Sequence, residues 1–158
     1  MRKIKNKKKK LLPDLKYNSK LITYFINNIM KKGKKNIAYK IYYKVLNYIN
    51  NKFKYKNLNF LKIFKYAIKN ASPEVEIKRR KIGGSTYNIP IRISNKRKIF
   101  LSIKWLILNS KKRSEKKMYI KLANEIISTY KGYGNTIKKK NELQKLADSN
   151  KAFINFRY

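Results

Sequence analysis

The side chains that most often serve as bases and nucleophiles are scarce in this sequence. Histidine and cysteine are both absent, so the usual nucleophile–base pairing has neither partner. The carboxylates are Asp14, Glu74, Glu76, Glu115, Glu125, Glu142 and Asp148. Glu74 and Glu76 flank one residue of a predicted strand and share a face, which suits surface ion pairs rather than acid–base work. Glu142 stands three residues before Lys145, where pairing along a helix accounts for it. Gly83-Gly84 lacks the spacing of a nucleotide-binding loop. No thiolate metal site is possible. The pattern points away from an enzyme and calls for no cofactor or metal.

Cations are what the chain has in excess. Lysine and arginine number 43 against 7 acids, a formal net charge of +36. Such a chain repels itself when compact, and a dense polyanion relieves the repulsion. Nucleic acid, an anionic membrane and an acidic protein are the candidate partners. Lys, Asn, Ile, Tyr and Phe dominate the composition, and their codons are rich in A and T. An A/T-rich genome therefore explains part of the lysine excess. It does not explain the shortage of acids. The cations gather in clusters: the first ten residues, MRKIKNKKKK; Lys31-Lys32 with Lys34-Lys35; Lys78 to Lys81; Lys96 to Lys98; Lys111 to Arg113; and Lys138 to Lys140. Most fall at helix ends or in loops. Several basic rims fit a folded polyanion better than a flat membrane, which calls for one basic amphipathic face.

These clusters need elements to hold them. The chain has 158 residues, 42% hydrophobic and 13% aromatic. That suits one domain over 1–158 with a real core. The N-terminus lacks the apolar stretch of a signal peptide. The longest apolar run, Trp105–Leu108, is far too short to span a membrane. Residues 1–10 read as a basic arm, closed by Leu11-Leu12-Pro13-Asp14. A helix capped by Ser19 carries Ile22, Phe25, Ile26 and Ile29 on one face and ends by Gly33. A second starts near Lys35 with Ile37, Ile41, Val45, Tyr48 and Ile49 inward. A third runs from about Asn57 with Leu58, Leu61, Phe64, Ala67 and Ile68 inward, and Pro73 stops it. The fourth spans Lys96 to Ser110 around Ile99, Ile103, Leu106 and Ile107. Ser114 is expected to cap a fifth, with Met118, Leu122, Ala123 and Ile126. Thr136 is expected to cap a sixth, with Leu143, Leu146 and Ala147.

Between the third and fourth helices, residues 74–93 read as a β-hairpin finger. A two-residue turn at Gly83-Gly84 is the first expectation. It places Ile89 and Ile91 on the opposite face from Val75 and Ile77. A loop of Gly83 to Ser85 gathers Val75, Ile77, Ile89, Ile91 and Ile93 on one face and sets Glu76 opposite Arg92. Pattern is therefore expected to prevail over turn preference, with a bulge beside the turn. Pro90 then needs an outward-facing slot. The apolar base rests on the helices, and the tip, with Lys78, Arg79, Arg80 and Lys81, must project. The fold class is mainly α: a six-helix, bundle-like domain with a protruding two-stranded hairpin.

Ordered motifs along the whole chain add a resemblance. They are Leu11-Leu12-Pro13-Asp14, Gly33-Lys34-Lys35 with Ala38, and Pro73-Glu74-Val75-Glu76 with Arg80. Gly83-Gly84-Ser85-Thr86-Tyr87 and Ile89-Pro90-Ile91 follow, then Trp105, Leu122-Ala123-Asn124-Glu125 and Asn150-Lys151-Ala152-Phe153. In these the chain resembles small-subunit ribosomal protein seven of the bacterial and organellar type. The resemblance implies a structural, primary binder of small-subunit rRNA that nucleates assembly of the subunit head on the 3′ major domain. It implies a place near the exit-site tRNA and the messenger exit path, with small-subunit protein eleven as a neighbour and no membrane partner. The finger would approach the exit site. Here lysine replaces much of the family's arginine, so grip on phosphate should be less geometric and more salt-sensitive. The family often ends in Arg-Trp, where this chain has Arg157-Tyr158.

The rRNA-binding residues expected from these readings are Arg2, Lys3, Lys34, Lys35, Arg79, Arg80, Lys111, Lys112 and Arg113. Lys81, Gly83, Gly84 and Ser85 are expected to form the hairpin tip. The expected location is a ribosome, in an organelle with an A/T-rich genome (plastid ahead of mitochondrion) or in an A/T-rich bacterium. A DNA-architectural protein is the alternative, since basic β-arms also enter minor grooves. Its arm would normally carry a wedge residue, and Gly-Gly-Ser supplies none. A membrane-active cationic protein is the third class.

Overall fold

The structure, a computed structural model, describes residues 11–14, 16–53 and 59–157. Among them it forms six α-helices: α1 (Lys20–Ile29), α2 (Lys35–Lys52), α3 (Phe60–Ala71), α4 (Asn95–Lys111), α5 (Met118–Tyr130) and α6 (Asn135–Ser149). Strands β1 (Val75–Ile82) and β2 (Ser85–Arg92) stand between α3 and α4, and a 3-10 helix (Lys151–Arg157) closes the chain. The mainly helical class and the place of the hairpin match the sequence reading. Contacts divide the chain into two compact units, residues 1–40 and 41–158. The first turns of α2 fall in the first unit and the rest in the second.

In the first unit, α1 buries Ile22, Phe25 and Ile26, three of the four apolar residues expected on its inner face. Ser19 is its N-cap, but the hydroxyl makes no cap bond. Asp14 shapes the approach instead. It is buried, and its carboxylate accepts the backbone N–H groups of Lys16 and Tyr17 at 3.3 and 3.4 Å. After α1 the chain turns through Lys32 and Gly33, both left-handed (φ 49° and 73°). A lysine bears that strain at one position, and glycine takes the next without it.

In the second unit, α3, α4, α5 and α6 all pack on one another. The core holds Phe60, Ile63, Phe64, Ile103, Leu106, Leu122 and Ile126, all nearly or fully buried. Phe60 and Phe64 stack at 5.5 Å, and Tyr42 meets Phe60 edge-on at 5.8 Å. The inner stripe of α2 is Ala38, Tyr42, Val45, Leu46 and Ile49. The expected Ile37 lies 52% exposed; the stripe is displaced by one residue at the start of the helix because Ala38 and Tyr42 face inward there. The expected start of α3 at Asn57 and Leu58 lies outside the described residues. Ser114 does not cap α5, whose N-cap is Lys117. Leu146 is 53% exposed, and α6 buries Ala147 and Thr136, with Leu143 half-buried.

The hairpin corrects the expected register. Val75 pairs with Arg92, Ile77 with Pro90, Lys78 with Ile89 and Ile82 with Ser85, which leaves a two-residue turn. Gly83 and Gly84 both have positive φ, 55° and 87°, the demand of the primed turn that matches strand twist. Turn preference thus prevails over pattern. Gathering the apolar residues on one face proves unnecessary, because β1 touches α6 while β2 touches the 3-10 helix. Ile89 is buried on one face, and Pro90 is buried on the other. Pro90 needs no outward slot either. Ile93 N–H donates to the Glu74 carbonyl, which makes every even-numbered β1 position a hydrogen-bonded pair. Pro90, opposite Ile77, falls at a non-bonded pair and loses nothing. Glu76 faces Ile91 rather than Arg92 and finds its cation on α4 instead.

Candidate nucleic-acid interface

Most of the carboxylates are spent inside the protein. Glu76 accepts two hydrogen bonds from Arg97, at 2.6 and 3.1 Å. That interaction pins the hairpin base to the start of α4 and holds the Glu76 carboxyl below its ordinary pKa. Asp148 pairs with Lys151 at 2.9 Å where α6 meets the 3-10 helix. The largest set surrounds Arg113. Its Nε donates to Glu115 at 3.0 Å and its Nη1 to Glu125 at 2.9 Å. Burial works against the Arg113 charge, but the two carboxylates outweigh it and raise its pKa. Glu115 is drawn down to about 2, first by a hydrogen bond from Asn124, then by its own backbone N–H and by Arg113.

Glu125 is fully buried. Its Oε1 accepts the Thr136 N–H at 3.1 Å and the Thr136 hydroxyl at 2.7 Å. A carboxylate on α5 thus takes up a free amide at the start of α6, where anions are favoured. Thr136 was expected to cap α6 itself; instead it is the donor. Gly134 makes the approach possible. Its φ is +106°, and a Cβ there would meet the Ser128 Cβ at 3.1 Å and Glu125 Oε1 at 3.5 Å.

With the acids so used, the hairpin cations stand alone. Lys78, Arg79, Arg80 and Lys81 are all exposed. Among the described residues Arg79, Arg80 and Lys81 form no ion pair. Arg79 and Lys81 share one face of the ribbon, and Lys78 and Arg80 the other, so the finger is basic on both sides. Gly83, Gly84 and Ser85 form its exposed tip. Its stalk is braced by residues the sequence reading missed. Tyr87 packs against Phe153 at 5.0 Å and Phe156 at 6.2 Å on the 3-10 helix. Tyr87 and Phe153 stand in the motifs singled out above, but nothing local to either motif pairs them.

Lys34 and Lys35 are exposed in the turn and first position of α2, with the Lys35 ammonium 5.7 Å over the Tyr39 ring. Lys111 ends α4 and Lys112 is its C-cap; both are exposed. Arg113 is half-buried among its carboxylates rather than free. Arg2 and Lys3 lie outside the described residues. Of the further basic cluster on α6, Lys140 donates to the Asn70 carbonyl at 2.8 Å and Lys139 lies 5.8 Å over Trp105. Those two serve the fold. Among the described residues no group of three or more acids could hold a metal, and no helix is long and apolar enough to cross a membrane.

The structure thus joins a helical domain to an anchored, exposed basic finger, with most of its acids paired within the protein. Comparison with known proteins narrows that class. The family profile described as ribosomal protein S7p/S5e matches residues 1–151. Small ribosomal subunit protein uS7 of Amoebophilus asiaticus is 44% identical over 99% of both chains. The uS7 proteins of Flavobacterium psychrophilum and Mycoplasma mycoides subsp. mycoides are 41% and 44% identical over the full length of both chains. The chain belongs to the ribosomal protein S7p/S5e family, whose members are structural proteins and not enzymes. All these relatives are bacterial, and they lend no support to the expectation of an organelle, plastid or mitochondrion, or of an A/T-rich genome.

Proposed function

We propose that this protein is a structural constituent of a bacterial-type small ribosomal subunit and a primary binder of its rRNA. In this reading it nucleates the subunit head on the 3′ major domain. The finger lies near the exit-site tRNA and the messenger exit path, with small-subunit protein eleven among its neighbours. The single observation that carries the reading is the finger: four exposed consecutive cations on a hairpin fixed at its base, in a chain of this family. Phosphate contacts fall to Lys34, Lys35, Arg79, Arg80, Lys111 and Lys112, together with Arg2 and Lys3 of the arm. Arg113 holds the loop that presents Lys111 and Lys112. Gly83 and Gly84 let the strands close without a side chain at the tip, where Lys81 and Ser85 flank them.

A salt titration of binding tests this. The ligands are the 3′ major-domain fragment of small-subunit rRNA, a scrambled RNA of equal length and duplex DNA. Affinity falls with salt for all three, because counterion release ignores sequence. The expected result is that the fragment keeps an advantage of roughly two decades at high salt, as specific complexes do. Superimposed curves would reduce the protein to a general polyanion binder, and preference for duplex DNA would favour the architectural alternative.

A further inference from the structure

A cleft of about 380 Å³ opens between α2 and the start of α5, lined by Lys44, Asn47, Tyr48, Asn51, Lys117 and Tyr119. None of these was expected to bind anything. The rings of Tyr48 and Tyr119 meet edge-to-face at 6.4 Å. Both are half-buried, so their faces are fixed rather than swinging in solvent. The Lys44 ammonium sits 5.9 Å over the Tyr119 ring, and that of Lys52 sits 5.6 Å over Tyr48. Asn47 and Asn51 stand one turn apart on α2, exposed, and among the described residues neither amide has a partner in the protein. Among the described residues no carboxylate lines the cleft.

We propose that this cleft takes an unstacked nucleobase of single-stranded RNA. The proposal rests on the RNA-binding reading above and adds a site to it. Each component matches one part of a nucleotide. A tyrosine face stacks on any base, and such stacking is the main sequence-tolerant attraction for single strands. A carboxamide offers both a donor and an acceptor to a base edge. An ammonium resting on a ring is held by the ring's quadrupole. An arriving base takes that place, and the lysine's long stem lets it swing to the phosphate of the same nucleotide. The flanking backbone has a basic path onward. Lys52 also lines the neighbouring cleft with Arg113 and Lys131. A membrane headgroup would not need the paired rings, and an acidic peptide would not need the two free amides.

The test uses the full chain and a short oligouridylate carrying one 4-thiouridine, crosslinked by light and mapped by mass spectrometry. Adducts on Tyr48 or Tyr119 are expected. Tyr119→Ser should weaken oligouridylate binding roughly five- to hundredfold by losing a stacked base. The loss should be the same at every salt concentration, because stacking releases no counterions. Asn51→Ala, at an exposed position outside the core, should weaken binding in the same direction by a smaller factor. Adducts absent from both tyrosines, or both variants binding as tightly as the parent, would overturn the proposal. The ribosomal reading fails separately: the parent would then lose its preference for the 3′ major-domain fragment while the tyrosine adducts persist.

Discussion

Glu125 is fully buried, yet every acceptor position it uses is matched, by Thr136 twice and by Arg113. Removing this carboxylate strands the buried Thr136 donors, at a cost of about 1–3 kcal/mol, while Arg113 keeps Glu115 as a partner. Glu125→Ala should therefore lower stability by that amount in denaturant unfolding, while an exposed control such as Glu142→Ala changes little. Gly134→Ala should cost about 2 kcal/mol, through left-handed strain and the close Ser128 Cβ. Glu115 gives a pH dependence with a definite sign. Its folded pKa is about 2, against an ordinary 4.5, so on acidification the unfolded chain binds the proton first. Its contribution is complete above about pH 4.5 and fades as pH falls toward about 2. Denaturation midpoints of the parent and of Glu115→Gln should differ near neutrality and converge in that window; a constant difference would contradict the Arg113–Asn124 setting described for it.

At the scale of elements, the sequence revealed most of the helices and missed what holds the hairpin. Helix α2 begins at the expected residue, and α4 begins and ends within one residue of the expected bounds, because apolar spacing is a local signal. The turn that sets the register was a local signal, but the outcome of its conflict with the apolar pattern was not. That outcome depended on whether one face of the ribbon or both would be covered, and that is decided by α6 and by Phe153 and Phe156, far along the chain. The same distance hid the role of Arg113, which reads as a free cation until Glu125 arrives from the next helix. The basic finger was legible, since four consecutive cations before Gly83-Gly84 allow few other arrangements. Two outcomes follow for this element. Replacing Arg79 and Arg80 with Glu should leave helical circular dichroism unchanged, because both side chains are exposed, while abolishing the high-salt preference for the rRNA fragment. Phe153→Ala should loosen the stalk by about 1 kcal/mol, the worth of an aromatic contact, seen as faster amide exchange along β2 with the helical core unaffected.

For the whole molecule, a net charge of +36 sets the terms. Compactness is opposed by self-repulsion at low salt and supported by any ligand that binds only the folded form. The melting temperature should rise with added salt in the free protein, and rise further with the 3′ major-domain fragment; a melting temperature indifferent to that RNA would count against the account. The chain has no cysteine, so a single introduced thiol is unique. The measurement made first would tether a hydroxyl-radical source at Ser85→Cys, beside the hairpin turn, in reconstituted small subunits. Strand cleavage is expected only in the 3′ major domain of the rRNA and in tRNA bound at the exit site. Cleavage spread evenly over the rRNA, or centred in another domain, would contradict it.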